Sequence, residues 1–292
     1  MKFVGIVNSI NSSDNMQNLI VKNEEGIIKN LKVTSNAKIL IGKIYQFEFE
    51  EIVGERISYK VKDYKCIDDL DLVEKDRIYR LFLKSSPLKI EEAKKEIDNY
   101  LSKIDNKIVL EITKYLIDKY YDVFFTYPAA AKMHHAYVGG LAYHSIGMLH
   151  LADGFISNYP YLDKSYVYAG IMLHDIGKAL ELTGVSNTEY TIRGQLLGHL
   201  VLGALQIEDA AKDLGYENKD EVMLLEHMLI SHHGIPQFGA AKKPMTPEAL
   251  VLWYIDTIDS KFRVLGEELD KTDNNTFTES IGVIDKGKIY KV

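Results

Sequence analysis

The sequence predicts a multi-domain α+β chain, a small all-β barrel at the N-terminus followed by an all-α helical bundle. Up to about residue 66, short β-branched or aromatic runs alternate with polar turns. From about residue 88 onward, apolar residues recur at three-and-four spacing, the period of helices that bury one face. Between them, residues from Asp68-Asp-Leu-Asp71 to Lys84-Ser-Ser-Pro87 are rich in charge and carry neither pattern. The expected organisation is a barrel over 1–66, a connector over 67–87 and a helical domain over 88–292.

The barrel strands are expected at Phe3–Val7, Asn18–Val21, Ile27–Val33, Ile44–Phe49 and Ile57–Tyr64. Polar segments such as 11–15, 23–26 and 53–55 supply the turns. Five short strands in so few residues suit a closed barrel of the OB type, and other small β-barrels fit equally. Phe47, Phe49, Tyr59 and Tyr64 are candidates for base-stacking platforms, although two of them are expected to fill the barrel. Over residues 1–70 there are ten Lys and Arg against ten Asp and Glu, so no basic stripe marks this domain. It could equally serve packing or dimerisation. Further on, Ile90–Ser102 and Lys107–Tyr120 read as amphipathic helices, and Gly139-Gly140 marks a place where something approaches the backbone closely.

Composition narrows the function classes. The chain has 292 residues, 46% of them hydrophobic and 26% charged, which suits a soluble globular protein. No apolar run approaches the roughly 20 residues of a membrane span, and the N-terminus turns polar too soon for a signal peptide. The one cysteine, Cys66, excludes an internal disulfide framework and fits a reducing cytoplasm. A formal charge of −7 argues against an overall basic surface but leaves room for a local basic groove.

The chemistry is carried by the apolar run Tyr168–Lys178, which ends in adjacent His174 and Asp175 followed by Gly177 and Lys178. Taken singly, a histidine or aspartate in such a run is more often structural. Five separate segments, however, each set a ligand-type residue on an otherwise apolar helix: His144, His174-Asp175, His199, His232-His233 and Asp256. Nitrogen and oxygen donors of this kind suit a divalent cation at a hydrolytic site, with Mn, Fe, Co, Ni or Zn fitting better than Mg or Ca. Asp256 lies in an apolar helix and needs a charge or cation to offset its desolvation. One ion is expected at His144, His174, Asp175 and Asp256. A second would be held by His199, bridging Asp175 and one of His232 and His233, with His232 preferred and His233 facing substrate. Lys178, three positions after Asp175, is placed to steady charge on phosphoryl oxygens. Attack on phosphorus by a hydroxide bridging the two ions is the expected mechanism. His135, Lys132 and Arg193 are further candidates for substrate contact, and Lys242 and Lys243 for a phosphate track, although such residues are solvated surface by default. His150 and His227 read as structural.

The order H…HD…H…H…D resembles that of the HD metal-dependent phosphohydrolases. A narrower likeness extends to the residues between the donors. Phe125–Ala130, His134–Ser145, Tyr168–Lys178, Gly194–His199, Glu226–Gly234, Tyr254–Lys261 and the closing 283–291 segment are similar to the YhaM-type 3′→5′ exoribonucleases of Gram-positive bacteria. The resemblance covers roughly residues 75–292. It implies an OB domain ahead of an HD domain, manganese as the metal, single-stranded RNA or DNA as substrate, and a possible homo-oligomer. The expectation is a cytoplasmic, metal-dependent 3′→5′ exonuclease with no membrane partner. Two rivals remain: a small-molecule nucleotide or cyclic-nucleotide phosphohydrolase on the same scaffold, and a non-catalytic nucleic-acid-binding regulatory module.

Overall fold

The computed structural model describes residues 1–52, 58–129, 137–186 and 188–292. It divides into two compact units, one made of residues 1–85 with 184–188, the other of residues 86–183 with 189–292.

The first unit holds five strands: β1 (Lys2–Ser12), β2 (Met16–Lys22), β3 (Ile28–Thr34), β4 (Ile44–Ile52) and β5 (Ser58–Cys66). They close into a barrel of order β1-β2-β3-β5-β4, antiparallel except for the β3–β5 pair. Alternate residues point inward, as the pleat requires, and Val7, Leu19, Val21, Leu31, Phe47 and Phe49 fill the interior. Phe47 and Phe49 are therefore core residues, not stacking platforms. Tyr59 and Tyr64 pack on the rim of that core while partly exposed. The expected turn at 53–55 lies outside the described residues.

The stretch expected to be a connector is not one. After a 3-10 turn over Ile67–Asp69 it forms helix α1 (Leu72–Phe82), and Asp71 accepts hydrogen bonds from the Val73 and Glu74 amides. The aspartates that read as a charge run are helix-start chemistry.

The second unit contains α2 (Ile90–Leu101), α3 (Lys107–Lys119), α4 (Tyr121–Thr126), α5 (Gly140–Asn158), α6 (Lys164–Leu173), α7 (Lys178–Glu181), α8 (Ile192–Leu214), α9 (Asp220–Ser231) and α10 (Pro247–Asp270). It ends in a two-stranded ribbon, β6 (Thr276–Phe277) with β7 (Tyr290–Lys291), so the unit is helical but not purely so. Helix α6 is apolar all round, and such a helix must be surrounded. It starts on the Asp163 cap and packs against α3, α5, α9 and α10, with Val167, Ala169, Ile171 and Leu173 fully buried. Gly139 and Gly140 sit at the start of a helix, not in its interior; Gly139 caps α5 with a positive φ, close to Ser86 and the Phe125 carbonyl, and Gly140 is the first helical residue. No described helix is long and apolar enough to cross a membrane.

Beside α6, the Asp153 carboxylate on α5 accepts hydrogen bonds from the hydroxyls of buried Tyr168 (2.7 Å) and Tyr100 (2.9 Å). Burial pushes the carboxyl pKa up, but the Tyr168 and Tyr100 bonds and the Lys103 charge outweigh it and hold the pKa below its ordinary value. Asp153→Ala should destabilise the fold by about 1 kcal/mol, since the carboxylate is itself half exposed. A carboxyl with a depressed folded-state pKa stabilises above its unfolded pKa and loses that contribution as pH falls. In urea unfolding, the gap between wild type and variant should therefore be full at neutrality and shrink below about pH 4.

Candidate metal centre

Helix α6 stops at His174, and the turn that follows presents His174 and Asp175 side by side, 1% and 3% exposed. Around them stand His144 from the second turn of α5, His199 from α8, His232 and His233 from the end of α9, and Asp256 from the middle of α10. Two sets of donors form, His144 with His174 and Asp256, and His199 with His232 and His233. Within each set the candidate donor atoms lie within 4.8 Å of one another.

Asp175 stands between the sets. Its Oδ2 is 3.2 Å from His174 Nε2, while Oδ1 is 3.4 Å from His199 Nε2 and 4.0 Å from His232 Nε2. Burial alone would raise its pKa; the charges of Lys178 and His174 reverse this and hold the carboxyl well below the usual carboxylate range. Asp256 behaves likewise: burial opposes ionisation, and the His144 contact at 3.2 Å overcomes it.

The imidazoles are oriented from behind. His174 Nδ1 lies 2.7 Å from the Ile171 carbonyl, His232 Nδ1 2.7 Å from that of Leu229, and His233 Nδ1 2.7 Å from that of Phe238. A carbonyl only accepts, so each Nδ1 carries the proton and each Nε2 presents a lone pair. The Nε2 atoms of His174, His199 and His232 are buried without a hydrogen-bond partner among the described residues. Such orphaned acceptors are costly unless something binds them, and a divalent cation is what this set of nitrogens and carboxylates fits. Burial, reinforced by the neighbouring imidazoles, keeps the His232 pKa well below its ordinary value; burial and His199 lower that of His233. Both rings are thus neutral and ready to donate. His144 differs: burial disfavours its charge, but bonds to Asp256 and Asp259 prevail and raise its pKa to about 9. A cation at Nε2 would displace that proton.

Two carboxylates missed by the sequence reading complete the centre. Asp259, 5% exposed, approaches His144 Nδ1 at 2.8 Å and is itself held by Arg263 Nε at 3.3 Å. Its position three residues after Asp256 was the available signal, because that spacing shares a helix face. Glu181 Oε1 accepts from both the backbone amide (3.0 Å) and Nδ1 (3.1 Å) of His199. The amide is available because Gly198 interrupts α8 with φ 70° and ψ 161°, a conformation L side chains rarely adopt. No spacing rule announces Glu181.

Lys178 donates to Asp175 Oδ2 at 2.6 Å and to the Ala129 carbonyl, and lines the cavity between the helices. The described residues enclose about 230 Å³ there, bounded also by His144, His232, His233, Asp256 and Ser260. Arg193 is not brought to the site. It is exposed on the first turn of α8, does not line the cavity, and its charge is felt at the Tyr120 hydroxyl. Lys132 and His135 lie outside the described residues. His227 accepts a hydrogen bond from the Met245 amide and His150 pairs with Glu96, structural contacts both.

Residues 141–261 match the HD domain, a divalent-metal-binding domain. Two curated relatives are similar over most of the chain. The 3′-5′ exoribonuclease YhaM of Geobacillus sp. is 38% identical over 82% of this chain and 75% of its own length. The protein of the same name from Bacillus licheniformis is 40% identical over 72% of this chain and 67% of its own. The chain belongs to the YhaM family. As a member of that family with an HD phosphohydrolase domain, it is a hydrolytic enzyme.

The YhaM-type centre described here depends on second-layer carboxylates and on tight helix crossing, and both are testable. Asp259→Asn and Glu181→Gln should each weaken divalent-metal binding about 10- to 100-fold while the protein stays folded, read by calorimetric titration of metal-free protein. At Gly177, a Cβ would fall 2.1 Å from the His199 carbonyl and 2.7 Å from the Gly203 amide. Gly177→Ala should therefore cost at least about 1–3 kcal/mol in thermal unfolding and reduce bound metal, because α7 and α8 must part.

Proposed function

We propose that this chain is a 3′→5′ exonuclease of single-stranded RNA that holds two divalent cations, with manganese the first candidate. The observation that carries the reading is the convergence of orphaned Nε2 atoms on the two oxygens of Asp175 in a chain of the YhaM family. The relatives named as exoribonucleases supply the substrate class and polarity. His144, His174, Asp256 and Asp175 Oδ2 would hold one cation. His199, His232, His233 and Asp175 Oδ1 would hold the other, so both members of the histidine pair serve rather than one. When bound, such cations polarise phosphoryl oxygens and draw the pKa of coordinated water toward about 7.

The chain's own groups do the rest. Lys178 fixes Asp175 through Oδ2 and keeps a positive charge on the cavity wall, where a phosphodiester's non-bridging oxygens would lie. Ser260 lines the same wall, its hydroxyl committed to the Asp256 carbonyl at 2.6 Å. The cavity of about 230 Å³ is smaller than the ~300–1,000 Å³ of pockets that engulf a whole small ligand. It has room for the reacting phosphate and its immediate surroundings, which suits a polymer whose remainder stays outside better than an enclosed free nucleotide. The free Cys66 is in keeping with a reducing cytoplasm.

A 3′-labelled oligoribonucleotide incubated with the protein and Mn(II) should release single labelled nucleotides first. Turnover of only mononucleotides or cyclic dinucleotides would sink the exonuclease reading in favour of a small-molecule phosphohydrolase. Asp175→Ala should abolish release while leaving oligonucleotide binding largely intact; comparable binding of RNA by a wild-type protein without turnover would point instead to a regulatory module.

A further inference from the structure

Past His232 the chain leaves α9 and forms a short loop at the rim of the cavity. Gly234 turns it with a positive φ, and Pro236–Phe238 make one 3-10 turn closed by Gly239. The backbone is tied down on both sides. The Ala241 amide donates to the Ile230 carbonyl at 3.0 Å, the Met245 amide donates to His227 Nε2 at 2.9 Å, and His233 Nδ1 donates to the Phe238 carbonyl. On this fixed backbone Phe238 is 66% exposed. Burying a phenylalanine is worth about 1.5–3 kcal/mol, and this loop forgoes most of that gain. The Phe238 backbone carbonyl accepts from Nδ1 of His233, which lines the cavity, so Phe238 belongs to the loop that braces the cavity wall. Lys242 and Lys243 follow on the same loop, both exposed. A flat apolar face, two cations and an adjoining phosphate-sized cavity together make up what a single strand of nucleic acid requires.

We propose that Phe238 is a base-stacking platform, receiving a nucleobase of single-stranded substrate at the cavity entrance while Lys242 and Lys243 attract the neighbouring phosphates. This rests on the nucleolytic reading above. Every nucleobase has a π-face, so the platform tolerates any sequence, as digestion of mixed RNA demands. Because the loop backbone is pinned, only the ring's own rotamer has to be ordered when substrate arrives.

The test compares two substrates on the full chain supplied with Mn(II): an oligoribonucleotide, and bis(p-nitrophenyl) phosphate, which has the phosphodiester but no base. In Phe238→Ala the ratio of oligonucleotide to small-substrate kcat/KM should fall about tenfold, chiefly through KM, and Phe238→Trp should restore it. With an oligonucleotide abasic at its two 3′-terminal positions, wild type and Phe238→Ala should perform alike. An unchanged ratio would overturn the platform, as would a parallel loss on both substrates, which would mean that Phe238 acts only through His233. A wild-type protein that cleaves the small diester but no oligonucleotide would refute the nucleolytic reading itself, a result distinct from either.

Discussion

The centre depends on one buried anion. Asp175 is enclosed by helices and would be neutral if burial alone decided its charge; the Lys178 ammonium beside it is foremost in keeping it ionised. Its two oxygens face different donor sets, so a single side chain sets the spacing between the sites proposed for two cations. A charge in such a place is tolerated only when its neighbours are fixed. Much of the helical unit reads as the means of fixing them: α6 is buried on all sides and delivers the carboxylate with no freedom at its base.

The second layer is divided between backbone and side chains in a way that tracks the local chain. Where a helix ends at the histidine, as for His174 and His232, the carbonyl three residues back is within reach of Nδ1 and takes the proton. Where the histidine sits within a longer helix, those carbonyls are occupied by the helix itself, and a carboxylate is brought in: Asp259 for His144, Glu181 for His199. The break at Gly198 serves the same end by freeing the His199 amide for Glu181.

The parts of the site legible in the sequence are those where a polar residue interrupts an apolar helix. His174-Asp175 at the end of a continuous apolar run, and Asp256 in another, could not be ordinary solvated residues. Glu181 was silent because it follows a charged turn and becomes relevant only when α7 and α8 cross. Arg193 stood out only as a basic residue in the helical domain, a signal that does not say which way its side chain faces; on α8 it is exposed and lies off the cavity lining. Sequence could not separate His232 from His233 because α9 ends at that point and both rings turn toward the same space. In the first unit the five strands were legible from alternation, while α1 was hidden because its capping aspartates resemble a linker.

The backbone carbonyls behind His174, His232 and His233 have an effect on handling the protein. Each ring is locked in one tautomer and one direction by the fold, independently of anything bound in front of it. Chelation therefore leaves a rigid, correctly aimed socket instead of a collapsed one. The aim of the three rings is thus written into the polypeptide, and no ion has to be present to set it.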